Sequence, residues 1–309
     1  VTGPTIRQHF ATKIWRFGWV LAQGGGMRVL LLILLLIRPA AAGELKLTAW
    51  NLSWLTLRPA GGADLPQGVA PKRPEDIDRL RAYALMLHAD VIAFSEVDGP
   101  EIAARVFPPD VFRIHITGDQ VVQRAGFAIR RGLVFTPNPD VTGLDVYPGA
   151  RFHLRSAADI TLDLPRGQLR LLAVHLKSGC RQGPLAETRE PACHTLGLQL
   201  PVLQDWIRGR EAGREAFAVM GDFNRWMETG DPFFAGLAAA APLARADGGL
   251  HSPCWGGGGF LDHVIVGGAA RDWLEPDSLR VLVYRETLAA WKDRLSDHCP
   301  VSVRLHFPD

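Results

Sequence analysis

From residue 44 onward, short apolar runs alternate with polar and Gly/Pro-rich breaks. Leu45-Lys46-Leu47-Thr48-Ala49-Trp50 alternates as a strand does and ends at Asn51. After a loop over 58–74, Pro74-Glu75-Asp76 opens a helix, with Ile77, Leu80, Ala84 and Leu87 on one face. Asp90-Val91-Ile92-Ala93-Phe94-Ser95 predicts a buried strand that delivers Glu96. The middle reads as mostly β, with candidates at 111–116, 126–130, 151–155, 159–164 and 168–176. The last two form a hairpin over Pro165-Arg166-Gly167, and the second brings His175 to its end. A helix is predicted near 194–209, with Leu196, Leu200, Leu203, Trp206 and Ile207 inward and its first turns disturbed by Pro201. Ala216 to Met220 is a further buried strand, and Asp222 and Asn224 leave its end on one side. Asp231-Pro232 caps a short Ala-rich helix. Phe260 to Val266 is a strand interrupted by Asp262-His263. A final pair of strands flanks Leu295 to Cys299, with Val301, Val303 and Leu305 inward.

The first 42 residues do not follow this pattern. Met27-Arg28, the nine apolar residues Val29–Ile37 and the Ala-rich stretch before Gly43 read as a signal peptide over 27–42. An uncleaved anchor is the alternative, but the apolar run is short for a membrane span, so no stable membrane insertion is expected after cleavage. Residues 1–26 are expected to lie upstream of the true start at Met27. Residues 43–309 are expected to form one domain, exported to the periplasm or the exterior.

Residues 1–42 carry five of the 34 basic residues and no acid. Without it, 29 basic residues face 32 acidic ones, a net charge of −3. A globally cationic surface for nucleic acid is therefore excluded, though a local groove is not. The four cysteines, Cys180, Cys193, Cys254 and Cys299, all lie beyond the leader, and an even number in an oxidising compartment suggests two disulfides. Of three possible pairings, Cys180–Cys193 closes a short polar loop and Cys254–Cys299 joins two segments placed near the site. No Cys-x-x-Cys occurs to suggest zinc.

The polar residues beside the apolar runs carry the candidate chemistry: Asn51, Glu96, His175, Asp222, Asn224, Asp262, Asp297 and His298. Singly, each has a structural explanation, such as a turn, a cap or a satisfied core histidine. Together they would be costly to bury unless mutually bonded or bound to a ligand. Acidic and amide oxygens fit a hard cation, Mg²⁺ first, with Mn²⁺ or Ca²⁺ as alternatives. Histidines beside carboxylates fit proton transfer and binding of an anionic oxygen. No serine-hydrolase or P-loop motif is present. The pattern suits hydrolysis of a phosphate ester by in-line attack of water.

Six motifs in order carry a resemblance: Trp50-Asn51, Ser95-Glu96, Val174-His175-Leu176, Gly221-Asp222-Phe223-Asn224, Leu261-Asp262-His263-Val264-Ile265 and Ser296-Asp297-His298-Cys299-Pro300-Val301. Over 45–306 the chain resembles the endonuclease/exonuclease/phosphatase superfamily, and the run His175-Leu176-Lys177-Ser178-Gly179-Cys180 and the two cysteine pairs resemble its secreted bacterial members. The resemblance implies the DNase I-like fold, an α/β (α+β) four-layer α/β/β/α sandwich. It implies Asn51 and Glu96 as principal metal ligands, with Asp297 close by. It also implies that Asp222 and Asn224 orient water and phosphate, that His175 and His298 face the phosphate, and that Asp262 orients His298. Ser95 departs from the family, which commonly has Gln before this Glu. The expected activity is that of an exported, divalent-metal-dependent phosphodiester hydrolase, foremost a nuclease. A phosphomonoesterase or a phospholipid-head-group phosphodiesterase is second, and a non-catalytic binding module third. The expected partner is a phosphate-ester substrate, with nucleic acid as the leading candidate. Oligomeric state is not legible. Arg124, Arg130, Arg131 and Lys177 are candidate phosphate cations, and Trp226 and Trp255 are read as packing or base-stacking residues.

Overall fold

The computed structural model describes residues 43–307 apart from 63, 64, 70 and 187. The leader expected at 27–42 and the residues before it lie outside the described residues. The elements run β1 (Gly43–Leu55), α1 (Pro74–Met86), β2 (Val91–Val97), α2 (Pro100–Val106), β3 (Phe112–Ile116), β4 (Arg124–Arg130), β5 (Val134–Pro137), β6 (Ala158–Leu164), β7 (Gly167–His175), α3 (Pro191–Ala212), β8 (Ala216–Asp222), α4 (Pro232–Ala238), β9 (Leu243–Arg245), β10 (Asp262–Gly267), α5 (Ala270–Trp273), β11 (Arg280–Val281), α6 (Trp291–Arg294) and β12 (Val301–Phe307). The strands form two six-stranded sheets, ordered β11-β12-β1-β2-β4-β3 and β5-β6-β7-β8-β10-β9.

Strand alternation builds the layers. Leu45, Leu47 and Ala49 of β1 and Val91 and Ala93 of β2 meet Leu169, Leu171, Ala173, Ala218 and Met220 of the other sheet in a central core. The intervening residues face outward. Trp50, Ile92 and Phe94 pack under Ile77, Leu80, Tyr83 and Ala84 of α1. Leu172, Val174, Phe217 and Val219 pack under Leu196, Leu203, Trp206 and Ile207 of α3. The result is the four-layer sandwich expected from the sequence. Pro201 sits inside α3 without ending it. A proline there costs about 3 kcal/mol, while each buried large apolar side chain contributes about 1.5–3 kcal/mol, so the four inward residues outweigh it.

Three expectations are corrected. Residues 151–155 form no strand, although Arg-Phe-His-Leu-Arg alternates; Arg155 is buried and Phe152 is 75% exposed, the reverse of the pattern. The segment before Leu295 is the single turn α6, and the partner of β12 on that side is the two-residue β11, well upstream. The strand read over 260–266 begins at Asp262.

This last shift explains how the polar residues meet. The regular pairing of parallel β1 and β2 runs out at Asn51 and Ser95, just before Glu96, and parallel β7 and β8 end at His175 and Asp222. Antiparallel β10 and β12 begin at that same end, so Asp262 and His298 arrive at the starts of strands. Arg130 and Arg131 lie at the opposite end, bonded to the Ala89 and Pro109 carbonyls, and are removed from the candidate phosphate cations.

Candidate active site

Local backbone irregularities aim the site. Glu96 has φ +60°, and the register of β2 slips on both sides around it, so a bulge turns its carboxylate out of the strand alternation. Ser53 and Trp54 also have positive φ. Their turn points the Ser53 N–H at Asn51 Oδ1 (2.8 Å) and the Trp54 N–H at Glu96 Oε2 (2.9 Å). Gly221 has φ +129°, and a Cβ there would collide with the Val174 carbonyl oxygen. Asn224 follows at φ +53°. Strained non-glycine backbone of this kind is kept where surrounding structure holds it, often at functional sites.

Everything converges on Asp222, which is 1% exposed. Its Oδ1 accepts from the Asn224 N–H at 2.7 Å. Its Oδ2 accepts from Asn51 Nδ2 at 2.8 Å and Asn224 Nδ2 at 3.0 Å. His175 Nε2 lies 3.6 Å from that oxygen and His298 Nε2 4.0 Å. Burial pushes the Asp222 carboxyl up, His298 opposes this, and the Asp262 charge adds to it; the result is a raised pKa.

The two histidines are driven in opposite directions. Burial, reinforced by the Arg155 charge, holds His175 well below the usual imidazole value, so it is neutral at pH 7. Its Nε2 is 3.5 Å from Glu96 Oε1, and its buried Nδ1 meets no hydrogen-bond geometry. Gln123 main chain is close enough to favour its proton without completing that bond. Burial also disfavours a charged His298, but the Asp262 and Asp222 carboxylates overcome it and raise the pKa well above the usual value. The Asp262 Oδ2 accepts from His298 Nδ1 at 2.5 Å.

The loop carrying His298 is tied down from several sides. Ser296 Oγ donates to the Asn51 carbonyl and accepts from the His298 N–H. Trp50 Nε1 donates to Tyr284 OH, which donates to the His298 carbonyl. Trp255 Nε1 donates to the Ser296 carbonyl, so Trp255 braces this loop. Trp226 is half-buried with Arg181 over its ring. The two disulfides are Cys180–Cys193 and Cys254–Cys299, as expected, and the second sits directly after His298.

Of the eight residues read from the sequence, seven are interconnected. Asp297 is exposed and stands outside both groups with metal-ligand spacing, Glu96-His175-Asp222 and Asp222-Asp262-His298, in each of which the ligand atoms lie within 4.8 Å of one another. The donor set suits a hard divalent cation: in each group two carboxylates from different strands, buried except for the partly exposed Glu96, with one imidazole. Asn51 presents its amide nitrogen to Glu96 (3.1 Å) and Asp222, and its oxygen to Ser53. To offer oxygen to a cation the amide would turn over and give up Ser53.

Two site residues had no signal in the sequence. Arg155 is buried, donates to the Leu176 carbonyl at 2.9 Å, and acts electrostatically on Glu96 and Asp222. Lys72 donates to the Asp293 carbonyl at 3.1 Å; burial lowers its pKa to about 8 against the pull of Asp297 and Glu96. Both come from stretches whose burial depends on distant segments.

Residues 48–298 match the model of the Endonuclease/Exonuclease/phosphatase family. No curated protein matches the chain. Among solved structures, the 3′ phosphatase NExo from Neisseria, bound to a product DNA hairpin, superposes with a TM-score of 0.55 at 16% identity, covering 84% of this chain and 99% of that one. TDP2 from D. rerio, complexed with a single-strand DNA product, gives 0.54 at 15%, covering 84% and 98%. Truncated TDP2 from Caenorhabditis elegans gives 0.53 at 13%, covering 85% and 98%. At these identities the likeness is one of fold.

Proposed function

The chain belongs to the Endonuclease/Exonuclease/phosphatase family, whose members are metal-dependent phosphoesterases, and from that premise we propose that it is an exported phosphodiesterase acting on nucleic acid. The observation that carries this reading is the surround of Asp222 Oδ2: two amides donate to it and two imidazoles flank it, one pushed toward the neutral form and one toward the protonated form. A carboxylate with a raised pKa is a competent base for a water proton. A histidinium held by Asp262 is a competent acid for the leaving oxygen. Titrating groups whose environments push their pKa values apart mark an acid–base division of labour.

In the proposed reaction, water oxygen attacks phosphorus and the far P–O bond breaks. Asp222 takes the water proton, and His298 gives one to the departing oxygen. Asn224 and neutral His175 hold phosphoryl oxygens as the charge rearranges. A divalent cation held by Glu96, Asp222 and Asn51 would screen the phosphate charge. Two disulfides support export, since they persist in oxidising compartments. The DNA products held by NExo and by D. rerio TDP2 support a nucleic-acid substrate.

The test is turnover with Mg²⁺, Mn²⁺ or Ca²⁺ on bis-p-nitrophenyl phosphate, p-nitrophenyl phosphate, single- and double-stranded DNA, RNA and sphingomyelin, with EDTA as control. Diester and nucleic-acid cleavage is expected. Monoester cleavage alone would transfer the reading to a phosphatase, and inactivity on every substrate to a binding module.

A further inference from the structure

Residues 151–155, which break their own sequence alternation, build a second feature beside the site. Arg155 is 8% exposed, yet its Nε has no partner. Its other end shares the Leu176 carbonyl with Asn224 Nδ2, which bonds at 3.2 Å, so it is anchored to the reactive centre. It closes one side of a cavity of about 730 Å³ that Trp54, Gln123, Phe152 and Lys177 also line. Trp54 is the residue whose N–H holds Glu96, so this cavity and the site share a wall. Its volume lies within the roughly 300–1,000 Å³ of small-ligand pockets.

The lining has a definite chemistry. Arg151, Arg155 and Lys177 line it, and no carboxylate does so among the described residues. Phe152 is 75% exposed, with the Arg151 guanidinium 5.3 Å from its ring centroid. A flat aromatic face at the rim, cations around it and an unmet buried N–H donor fit an aromatic base joined to an anion. A base can lie on Phe152 only when it is unpaired, because pairing closes its face into the stack of a duplex. A lipid chain fits less well: Leu65 and Val122 are buried, Trp54, Val121 and Leu154 are half-buried, and of the described apolar residues in this lining only Pro66 shares the exposure of Phe152, too little apolar surface to enter a bilayer.

The geometry points to a subsite for one unpaired nucleotide of single-stranded nucleic acid, with its base on Phe152 and its phosphate on Arg155 and Lys177. This deepens the phosphodiesterase reading and rests on it for the reaction, though not for the binding. The test is fluorescence anisotropy of a labelled oligothymidylate eight-mer and of a DNA hairpin of equal charge, with EDTA present so that nothing is cleaved. The eight-mer is expected to bind more tightly than the hairpin. Phe152→Ala is expected to weaken eight-mer binding roughly 5- to 150-fold, the span of one lost base stack, and Phe152→Trp to restore it. The exposed position of Phe152 keeps folding out of the comparison. Equal eight-mer affinity in wild type and Phe152→Ala overturns the subsite, as does preference for the hairpin. So does a wild type that ignores the eight-mer and binds phosphatidylglycerol vesicles through Phe152. Hydrolysis of bis-p-nitrophenyl phosphate by the wild type is read separately: its failure removes the reaction proposed above, while anisotropy still decides the subsite.

Discussion

Two imidazoles beside one carboxylate are kept in different charge states, by burial with Arg155 at one and by two carboxylates that overcome burial at the other. His175 is buried near Arg155 and stays neutral; His298 is buried against Asp262 and stays protonated. Asp262→Asn replaces that carboxylate by a neutral amide. If His298 works as the acid, activity is lost as pH rises through its raised pKa, on the alkaline side. The variant lowers that pKa, so the alkaline limb of kcat/KM should move to lower pH, and turnover should fall roughly 10- to 100-fold, as for other orienting partners. The pH–rate profile on bis-p-nitrophenyl phosphate checks this, and an unmoved limb would remove His298 from proton donation. The residue types at these positions were legible in the sequence. Their charge states were not, because they depend on Arg155 and on burial, and nothing local to Arg155 marks it as buried.

At the scale of elements, legibility followed burial of a face. β1, β2, β7 and β8 and the helices α1 and α3 were readable because each commits apolar residues to the cores, the strands on both faces and the helices on one. The edge strands β5 and β9 were not read, since neither contains a residue buried enough to impose alternation. Residues 151–155 misled for the opposite reason: alternation was present, but Arg155 gains its place from the Leu176 carbonyl and from electrostatics of distant acids. Junctions between strand and loop give two predictions. Gly221→Ala forces a side chain onto the Val174 carbonyl at a positive φ, and should cost roughly 3 kcal/mol or more in a urea melt. His263, on the face of β10 opposite Asp262, meets two acceptors, Asp247 Oδ2 at 2.6 Å and the Arg225 carbonyl at 2.9 Å. Only the imidazolium donates to both. Burial works against that charge, but Asp247 prevails and the pKa is raised. The native state therefore holds a proton that the unfolded chain releases near its ordinary pKa of about 6.5. The stabilisation is whole below that pH and is lost as pH rises through the raised value. Asp247→Asn should thus lower stability by roughly 3–5 kcal/mol at pH 6 and by less at pH 10. Thermal melts at the two pH values check it, and a deficit independent of pH would mean that His263 is neutral.

For the molecule as a whole, the site is a seam between the sheets. Asn51, Glu96 and His298 come from the first sheet and its approach to β12; His175, Asp222 and Asp262 come from the second. The Asn51–Asp222 hydrogen bond, the His298–Asp262 pair and the approach of His175 to Glu96 are polar ties across it. Glu96 and Asp222, one from each sheet, bring like charges together at the open edge of a core that is otherwise apolar. With no cation bound, the closeness of these two carboxylates and the burial that raises the Asp222 pKa both work against the closed seam. A divalent cation between them would therefore couple the two sheets, and its binding should appear as global stability. At a concentration of 100 times its dissociation constant, a ligand of the native state adds about 2.7 kcal/mol, which for a domain of this size is roughly 5–10 °C in Tm. Addition of Mg²⁺ or Mn²⁺ to EDTA-stripped protein should raise Tm by that order, with the increment growing with the logarithm of metal concentration. Glu96→Gln removes one of the two facing charges. Its metal-free Tm should equal or exceed that of the wild type, because the repulsion is relieved, while the metal-dependent increment should vanish. Retention of the full increment in Glu96→Gln would move the cation to the Asp222-Asp262-His298 group, and the seam would then owe nothing to Glu96.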